Sequence, residues 1–251
     1  MEIAAVVETA IELAVNYIDT APNYPGVQEK LGPILKGVRQ DLFLTSKIEE
    51  AGYSGAWKQL EKSMKDMQTD FLDLVFLHSF GDTHRWPDTA HIIGRDGALT
   101  ALLEAKEQGV IGAIGASGHN RPSRYLELIN TGKIDVLMNV ANFAMQHTYG
   151  FETKVWPRAR ELNMGLVAMK VLGGVHPTTQ KEFRFHIDEY DNAIRYALSI
   201  PGVATAVIGM RDPFEVEEAV TAVQSFRSLS ETERIALAEN GKKLVESQPA
   251  I

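Results

Sequence analysis

Four residues suited to moving a proton stand at comparable places early in the chain: Asp19, Tyr24, Lys47 and His78. Asp19 closes the apolar run VNYID (15–19), with Tyr24 five residues on; Lys47 lies in LFLTSKI (42–48), and His78 closes FLDLVFLH (71–78). Singly, each has a structural explanation: Asp19 with Thr20 as a helix cap, Tyr24 as a loop aromatic between prolines, Lys47 as a solvated strand end, His78 as a core histidine. Together they describe one chemistry. Hydride addition to a carbonyl leaves an alkoxide that needs a proton, and a tyrosine hydroxyl with a pKa of about 10 is a weak source of one. A lysine ammonium beside it favours the phenolate and lowers that pKa. An aspartate keeps the lysine charged and oriented. A histidine next to the hydroxyl polarises the carbonyl and helps to shuttle the proton.

The elements that must hold these groups show in the hydrophobic pattern. Four further runs, GAIGAS (112–117), VLMNVA (136–141), GLVAMKV (165–171) and TAVIGM (205–210), bring the total to seven short apolar segments. Most are apolar on both faces, as buried parallel strands are. Between them lie helical patterns: Leu99, Leu102, Leu103 and Lys106 with Gly109 as stop, Val216, Ala219, Val220 and Val223, and a last helix opened by a Ser230–Glu233 capping box. Such alternation specifies a parallel sheet with crossover helices. With no Gly-x-Gly-x-x-Gly turn after an early strand, it points to a TIM-type β/α barrel rather than an open doubly wound sheet. A complete barrel has eight strands, and seven are evident. The first pattern is a helix, with Ile3, Val6, Val7, Ala10, Ile11 and Ala14 at helical spacing, so the chain reads as beginning inside a βα unit whose strand is missing. No linker divides residues 1–251, read as one domain. The longest irregular stretch, 79–97, follows the third strand at the face where barrels carry function; Trp57, Trp86 and Trp156 read as core or pocket walls, with Trp86 in this loop the best placed of the three for substrate contact.

Composition narrows the function classes. Twenty-five basic against 33 acidic residues give a net charge of −8, which argues against a nucleic-acid partner or an anionic membrane surface. The absence of cysteine excludes disulfides, thiolate catalysis and iron–sulfur clusters. His84, His91, His119, His147, His176 and His186 have no metal-ligand spacing, so no metal is expected. The N-terminus lacks a signal-peptide pattern and no run reaches transmembrane length, so the expected location is cytoplasmic.

VNYIDTAPNY (15–24), LTSKI (44–48) and LDLVFLH (72–78), followed in order by EKLGPIL (29–35), GVIGAIGASGHN (109–120), MGLVAMKVLGG (164–174) and IPGVATAVIGMRDPFEVEEAV (200–220), resemble the aldo-keto reductase superfamily. The SGHN and AMKVLGG versions are similar to a bacterial branch of that family. Some members of the branch carry a C-terminal iron–sulfur segment, which a chain without cysteine does not contain. The resemblance implies that Asp19, Tyr24, Lys47 and His78 are a catalytic tetrad with Tyr24 as general acid/base, and that the chain lacks the family's first strand. It also implies a nicotinamide dinucleotide bound without a Rossmann motif, usually the phosphorylated form (NADP), with NAD as the alternative. Ser117 and Gly118 then sit at the carboxamide, Asn142 follows the family's sixth strand, and Met169 takes the place of a stacking aromatic. Leu172 and Gly173 border the pyrophosphate, Gly209, Met210 and Arg211 face the adenosine phosphate, and Glu218 meets the adenine. The sequence departs from the family at Met138 (usually glutamine, with Asn139 a substitute), at Ala219 (usually asparagine) and at Glu215, whose charge opposes a 2′-phosphate that Arg211 could receive.

The leading reading is an oxidoreductase that reduces a small aldehyde or ketone, with Tyr24 as proton donor. A second is a non-catalytic barrel binding the cofactor or a partner, favoured by the missing strand. A third is a lyase using Lys170, supported by that lysine alone. The sequence names neither the substrate nor the oligomeric state.

Overall fold

The computed structural model describes residues 3–175 and 182–247; His176 lies outside them. Packing divides the chain into two compact units: Met1–Gly118 with Arg124–Val136 and Met210–Glu217, and His119–Ser123 with Leu137–Gly209 and Glu218–Ile251. Among the described residues no helix is long and apolar enough to cross a membrane.

In the first unit, α1 (Ile3–Glu12) precedes β1 (Tyr17–Asp19), α2 (Val27–Leu35), β2 (Phe43–Ile48), α3 (Tyr53–Asp66) and β3 (Leu72–Leu77). Then come α4 (Thr89–Ile93), α5 (Ala98–Glu107), β4 (Ile111–Gly118) and α6 (Pro122–Ile129), the last belonging to this unit from Arg124 on. The four strands pair in chain order and in parallel. The sheet is buried by Leu44, Leu74, Phe76, Ile114 and Ala116, and the helices by Ala56, Leu60, Leu99 and Leu102, none more than 1% exposed. This is the two-sided burial that near-continuous apolar strands imply.

Register sets the site. Asp19 lies abreast of Thr45, and Lys47 abreast of Phe76. Because side chains alternate between faces, Asp19, Thr45 and Lys47 share one face, with Lys47 a step beyond the end of β1. Ile48 is abreast of Leu77, so the residues that follow, Glu49 and His78, emerge side by side; the His78 amide donates to Ile48 O at 2.9 Å.

The second unit holds β5 (Val136–Val140) apart from its first residue, short helices α7 (Gln146–Tyr149) and α8 (Phe151–Lys154), α9 (Trp156–Glu161) and β6 (Gly165–Met169). An antiparallel hairpin, β7 (Gly173–Val175) and β8 (Glu182–Arg184), precedes α10 (Tyr190–Leu198) and β9 (Val203–Ala206), which pairs in parallel with β6. α11 (Pro213–Gln224) enters this unit at Glu218, and α12 (Glu231–Ser247) closes the described chain. The capping box forms as the sequence predicts: the Glu233 amide donates to Ser230 Oγ at 3.3 Å while Glu233 Oε2 accepts the Ser230 amide at 2.8 Å. Gly109 stops α5 with φ +73°.

All seven expected strands form, with two corrections. The last is Val203–Ala206, not 205–210: the apolar run continues, but its partner β6 ends at Met169 and the last of this bonding is Val207 N–H to Ala168 O. The β7–β8 hairpin has no counterpart in the apolar pattern. Its first strand is two glycines and a valine, too short and too small to show a period.

Candidate active site

Asp19, Tyr24, Lys47 and His78, the residues expected to move a proton, all lie in the first unit. Lys47 is 2% exposed, and its Nζ donates to Asp19 Oδ2 at 2.6 Å and to the carbonyl of Thr20 at 2.9 Å. Thr45 Oγ1 donates to the other Asp19 oxygen at 2.8 Å. A buried ammonium without such partners is costly; here one carboxylate and one carbonyl take two of its three N–H groups. Nζ lies 5.2 Å from the centre of the Tyr24 ring, and that ring meets His78 edge-on at 6.4 Å. Tyr24 is 39% exposed, whereas Lys47 and His78 beside it are buried.

Two residues that sequence reasoning missed complete this end of the sheet. His78 Nδ1 is 2.8 Å from Glu49 Oε1, and the same oxygen forms an ion pair with Arg85 Nη1 at 2.9 Å. Burial pushes the Glu49 carboxyl above its ordinary range; Arg85 opposes this, Glu50 adds to it and Lys47 opposes it. The signal that could have found Glu49 is the parallel register, which puts the residue after Ile48 beside the residue after Leu77. Arg85 carries no such signal, because it arrives through the 79–97 loop.

That loop is built rather than slack. Its α4 is capped by Asp88, whose side chain accepts from the Ala90 amide at 2.9 Å. Trp86 is the correction here: the expected substrate wall is fully buried, and its indole N–H donates to the His78 carbonyl at 2.6 Å, so it braces the histidine from behind. Arg124 donates to the Trp86 carbonyl at 2.6 Å and to Thr89 Oγ1 at 2.9 Å, and lies 5.2 Å over the Phe80 ring. Ser79 takes a left-handed φ of +54°, which turns the chain so that Phe80 N–H reaches Ser117 O at 2.8 Å.

The residues expected to hold a cofactor fall into both units. In the first unit, Ser117 is buried and its Oγ accepts the Ser79 amide at 3.3 Å, which leaves the hydroxyl its own proton to donate. Gly118 is required by Tyr125: a Cβ there would stand 1.7 Å from the Tyr125 hydroxyl, which donates to the Ser117 carbonyl at 2.9 Å. Arg211 faces Glu215, with Nε to Oε1 at 2.7 Å and Nη2 to Oε1 at 2.6 Å; Glu215 is buried and Arg211 exposed. Met210 lies beside this pair in sequence, partly exposed.

In the second unit, Asn142 is fully buried and donates to Lys170 O at 2.7 Å and Gly173 O at 2.6 Å, while its Oδ1 accepts from the amides of Ala144 and Met145 at 3.1 and 2.9 Å. Its amide thus ties two loops together. Met169 ends β6 half-buried and Leu172 is buried. Gly173 is in the hairpin, where a Cβ would meet Phe183 O at 2.3 Å, so the hairpin alone accounts for that glycine. Gly209 has open space where a Cβ would stand, and Glu218 is exposed. Met138 is buried, and Asn139 accepts from the Trp156 indole at 3.0 Å. Among the described residues no cluster has the makings of a metal site.

The chain matches the Aldo/keto reductase family over residues 1–191. It is 30% identical over 142 residues to methylglyoxal reductase DkgB of Salmonella typhimurium, a match covering 55% of this chain and 50% of that one. It is 25% identical over 206 residues to methylglyoxal reductase DkgA of Escherichia coli, covering 74% and 71%. The chain spans about half the length of the first of these relatives. Among solved structures, an aldo-keto reductase of Pseudomonas aeruginosa is 26% identical with a TM-score of 0.69, covering 88% of this chain and 83% of that one. The holo form of one from Bacillus halodurans is 23% identical with a TM-score of 0.74, covering 95% and 86%. The fold is therefore of the TIM-type parallel β/α barrel class, and the chain belongs to the aldo/keto reductase family.

Proposed function

We propose that the chain reduces a small aldehyde or ketone by hydride transfer from a nicotinamide dinucleotide, with Tyr24 as the proton donor. The observation that carries this reading is Lys47, a buried cation fixed by Asp19 and Thr20 with its Nζ 5.2 Å from the centre of the half-exposed Tyr24 ring. The cofactor, when bound, supplies the hydride to the carbonyl carbon. The Tyr24 O–H bond breaks as the alcohol O–H bond forms, and the Lys47 ammonium stabilises the phenolate left behind. Asp19 keeps Lys47 charged, and His78 orients the carbonyl oxygen.

The residues fit a nicotinamide group through the retained hydroxyl proton of Ser117, which suits a carboxamide oxygen. Gly118, Met169, Leu172, Gly173, Gly209, Met210 and Glu218 are the further residues proposed to hold the dinucleotide. NADP is the proposed form, with Arg211 receiving the 2′-phosphate; since Glu215 holds Arg211, NAD is the alternative, and comparing KM for the two reduced cofactors decides it. The names of the methylglyoxal reductases above make a 2-oxoaldehyde the first substrate to try.

The test is loss of reduced-nicotinamide absorbance with methylglyoxal. Tyr24→Phe should lower kcat/KM by about 10²–10⁴-fold; activity that survives the substitution removes Tyr24 from the role. The Asn142 amide, wholly engaged by the chain's own backbone, leaves the cofactor one expected contact fewer, and the second reading is a barrel that binds without turnover. Quenching or enhancement of nicotinamide fluorescence with no turnover of any carbonyl would select it.

A further inference from the structure

The reductase reading, on which this inference rests, leaves open how His78 carries its proton. Glu49 Oε1 lies 2.8 Å from His78 Nδ1 and 2.9 Å from Arg85 Nη1. An ionised carboxylate only accepts hydrogen bonds. With Glu49 ionised and paired to Arg85 through the same oxygen, the proton of the short contact belongs to Nδ1. Neutral His78 would then carry no proton on Nε2, which could accept but not donate to a carbonyl oxygen. Only the imidazolium bears protons on both nitrogens.

We propose that Glu49, clamped by Arg85, is a positioning residue that holds the proton on His78 Nδ1, so that His78 assists carbonyl reduction only as an imidazolium. Two hydrogen bonds fix the backbone from which the ring projects, and one contact meets the ring itself. The His78 amide is tied to Ile48 O at 2.9 Å, its carbonyl to the Trp86 indole at 2.6 Å, and the Tyr24 ring meets it edge-on. Among the groups around His78, Glu49 touches Nδ1, Tyr24 from the turn after β1 meets the ring, and Arg85 from the loop after β3 pairs with the same Glu49 oxygen, while Glu50 and Lys47 act on Glu49. Asp19 stands behind Lys47. Of these, Glu49 is the carboxylate in direct contact, so it is the group that favours the imidazolium, against the like charges of Lys47 and Arg85.

Two consequences follow. Reductase kcat/KM should fall as pH rises through the His78 pKa, because the donating Nε2–H is lost there. Removing the Glu49 charge should move that alkaline limb to lower pH. Glu49→Gln keeps an acceptor for Nδ1–H but not the charge; Glu49→Leu removes both.

The experiment is nitrogen-15 imidazole NMR of the full chain across pH, with the His78 signal identified by its loss in His78→Gln, alongside pH profiles of methylglyoxal reduction. The expected result is an Nδ1–H tautomer for neutral His78 in the wild type and in Glu49→Gln. The titration and the alkaline limb should both shift down by about one pH unit in Glu49→Gln, and the tautomer preference should disappear in Glu49→Leu. An Nε2–H tautomer in the wild type, or a titration that Glu49→Gln does not move, overturns the proposal. The NMR arm needs no turnover: a chain that reduces no carbonyl yet shows these His78 spectra supports the clamp and removes the reductase reading. Turnover with an Nε2–H histidine does the reverse.

Discussion

The strand ends around Lys47 and the loops around Asn142 both concentrate buried polar side chains, but they use them differently. At Lys47 the buried charge is matched by Asp19 and Thr20, and the set opens outward through Tyr24, 39% exposed. At Asn142 each polar atom of the side chain is bonded to backbone, from Ala144 and Met145 to Lys170 and Gly173. The first arrangement leaves the tyrosine partly exposed; the second closes on itself. A residue type that matches a family's binding position thus has a capacity, and the neighbours decide whether that capacity is left for a ligand.

The contrast can be broken by substitution. Lys47→Met should be the most damaging change: it leaves Asp19, whose side chain is 7% exposed, buried without its counter-charge. Breaking one side of a buried pair costs about 3–5 kcal/mol. Urea unfolding that shows no loss would mean that Asp19 reaches water and the pair is not the anchor described. Asn142→Ala should cost about 2–4 kcal/mol, since it orphans the Gly173 carbonyl and the Ala144 amide, while Lys170 O keeps the Gly173 amide and the Met145 amide keeps the carbonyl of residue 142. If stability is instead unchanged and only nicotinamide binding is lost, Asn142 belongs with the ligand groups and the contrast fails.

A third measurement tests a buried acid away from both regions. Burial pushes the Glu152 carboxyl from an ordinary 4.5 up to about 7, opposed by the Tyr196 hydroxyl at 3.1 Å and by Arg234 at 3.3 Å. The folded state therefore holds this proton more tightly than the unfolded state. The stability it contributes is fully present below about pH 4.5 and is lost as pH rises through about 7. Glu152→Gln should gain on the wild type across that window by up to about 3 kcal/mol; a pH-independent difference would show that Arg234 already offsets the burial. The smallest effect is expected at Ser230→Ala. Loss of the cap on α12 costs about 1 kcal/mol in thermal or urea unfolding, with activity unchanged.

The legible parts of this molecule are those with a local period or a local partner. Seven apolar runs became seven strands because burial on both faces leaves a continuous apolar signature. The Ser230–Glu233 box formed because its partners are three residues apart. Gly109 stopped its helix because a positive φ there suits glycine. The β7–β8 hairpin was invisible, since Gly173 and Gly174 carry no side chain to show a period. Trp86 read as a pocket wall because a tryptophan in a long loop is equally apolar whether it faces a ligand or packs behind a histidine.

From its sequence alone this protein had a parallel β/α class, the placement of Asp19, Tyr24, Lys47 and His78 at the ends of three strands, and a chain without cysteine. The tertiary structure alone decided the use of each polar atom: Lys47 matched to Asp19, Asn142 closed on loop carbonyls, Arg211 held by Glu215, and Glu49 set against His78 with Arg85 behind it. The physical reason is that a side chain's type states what it can bond, whereas its partners are backbone groups and side chains brought near by strand register and loop path, which leave little or no mark on the pattern of residue types.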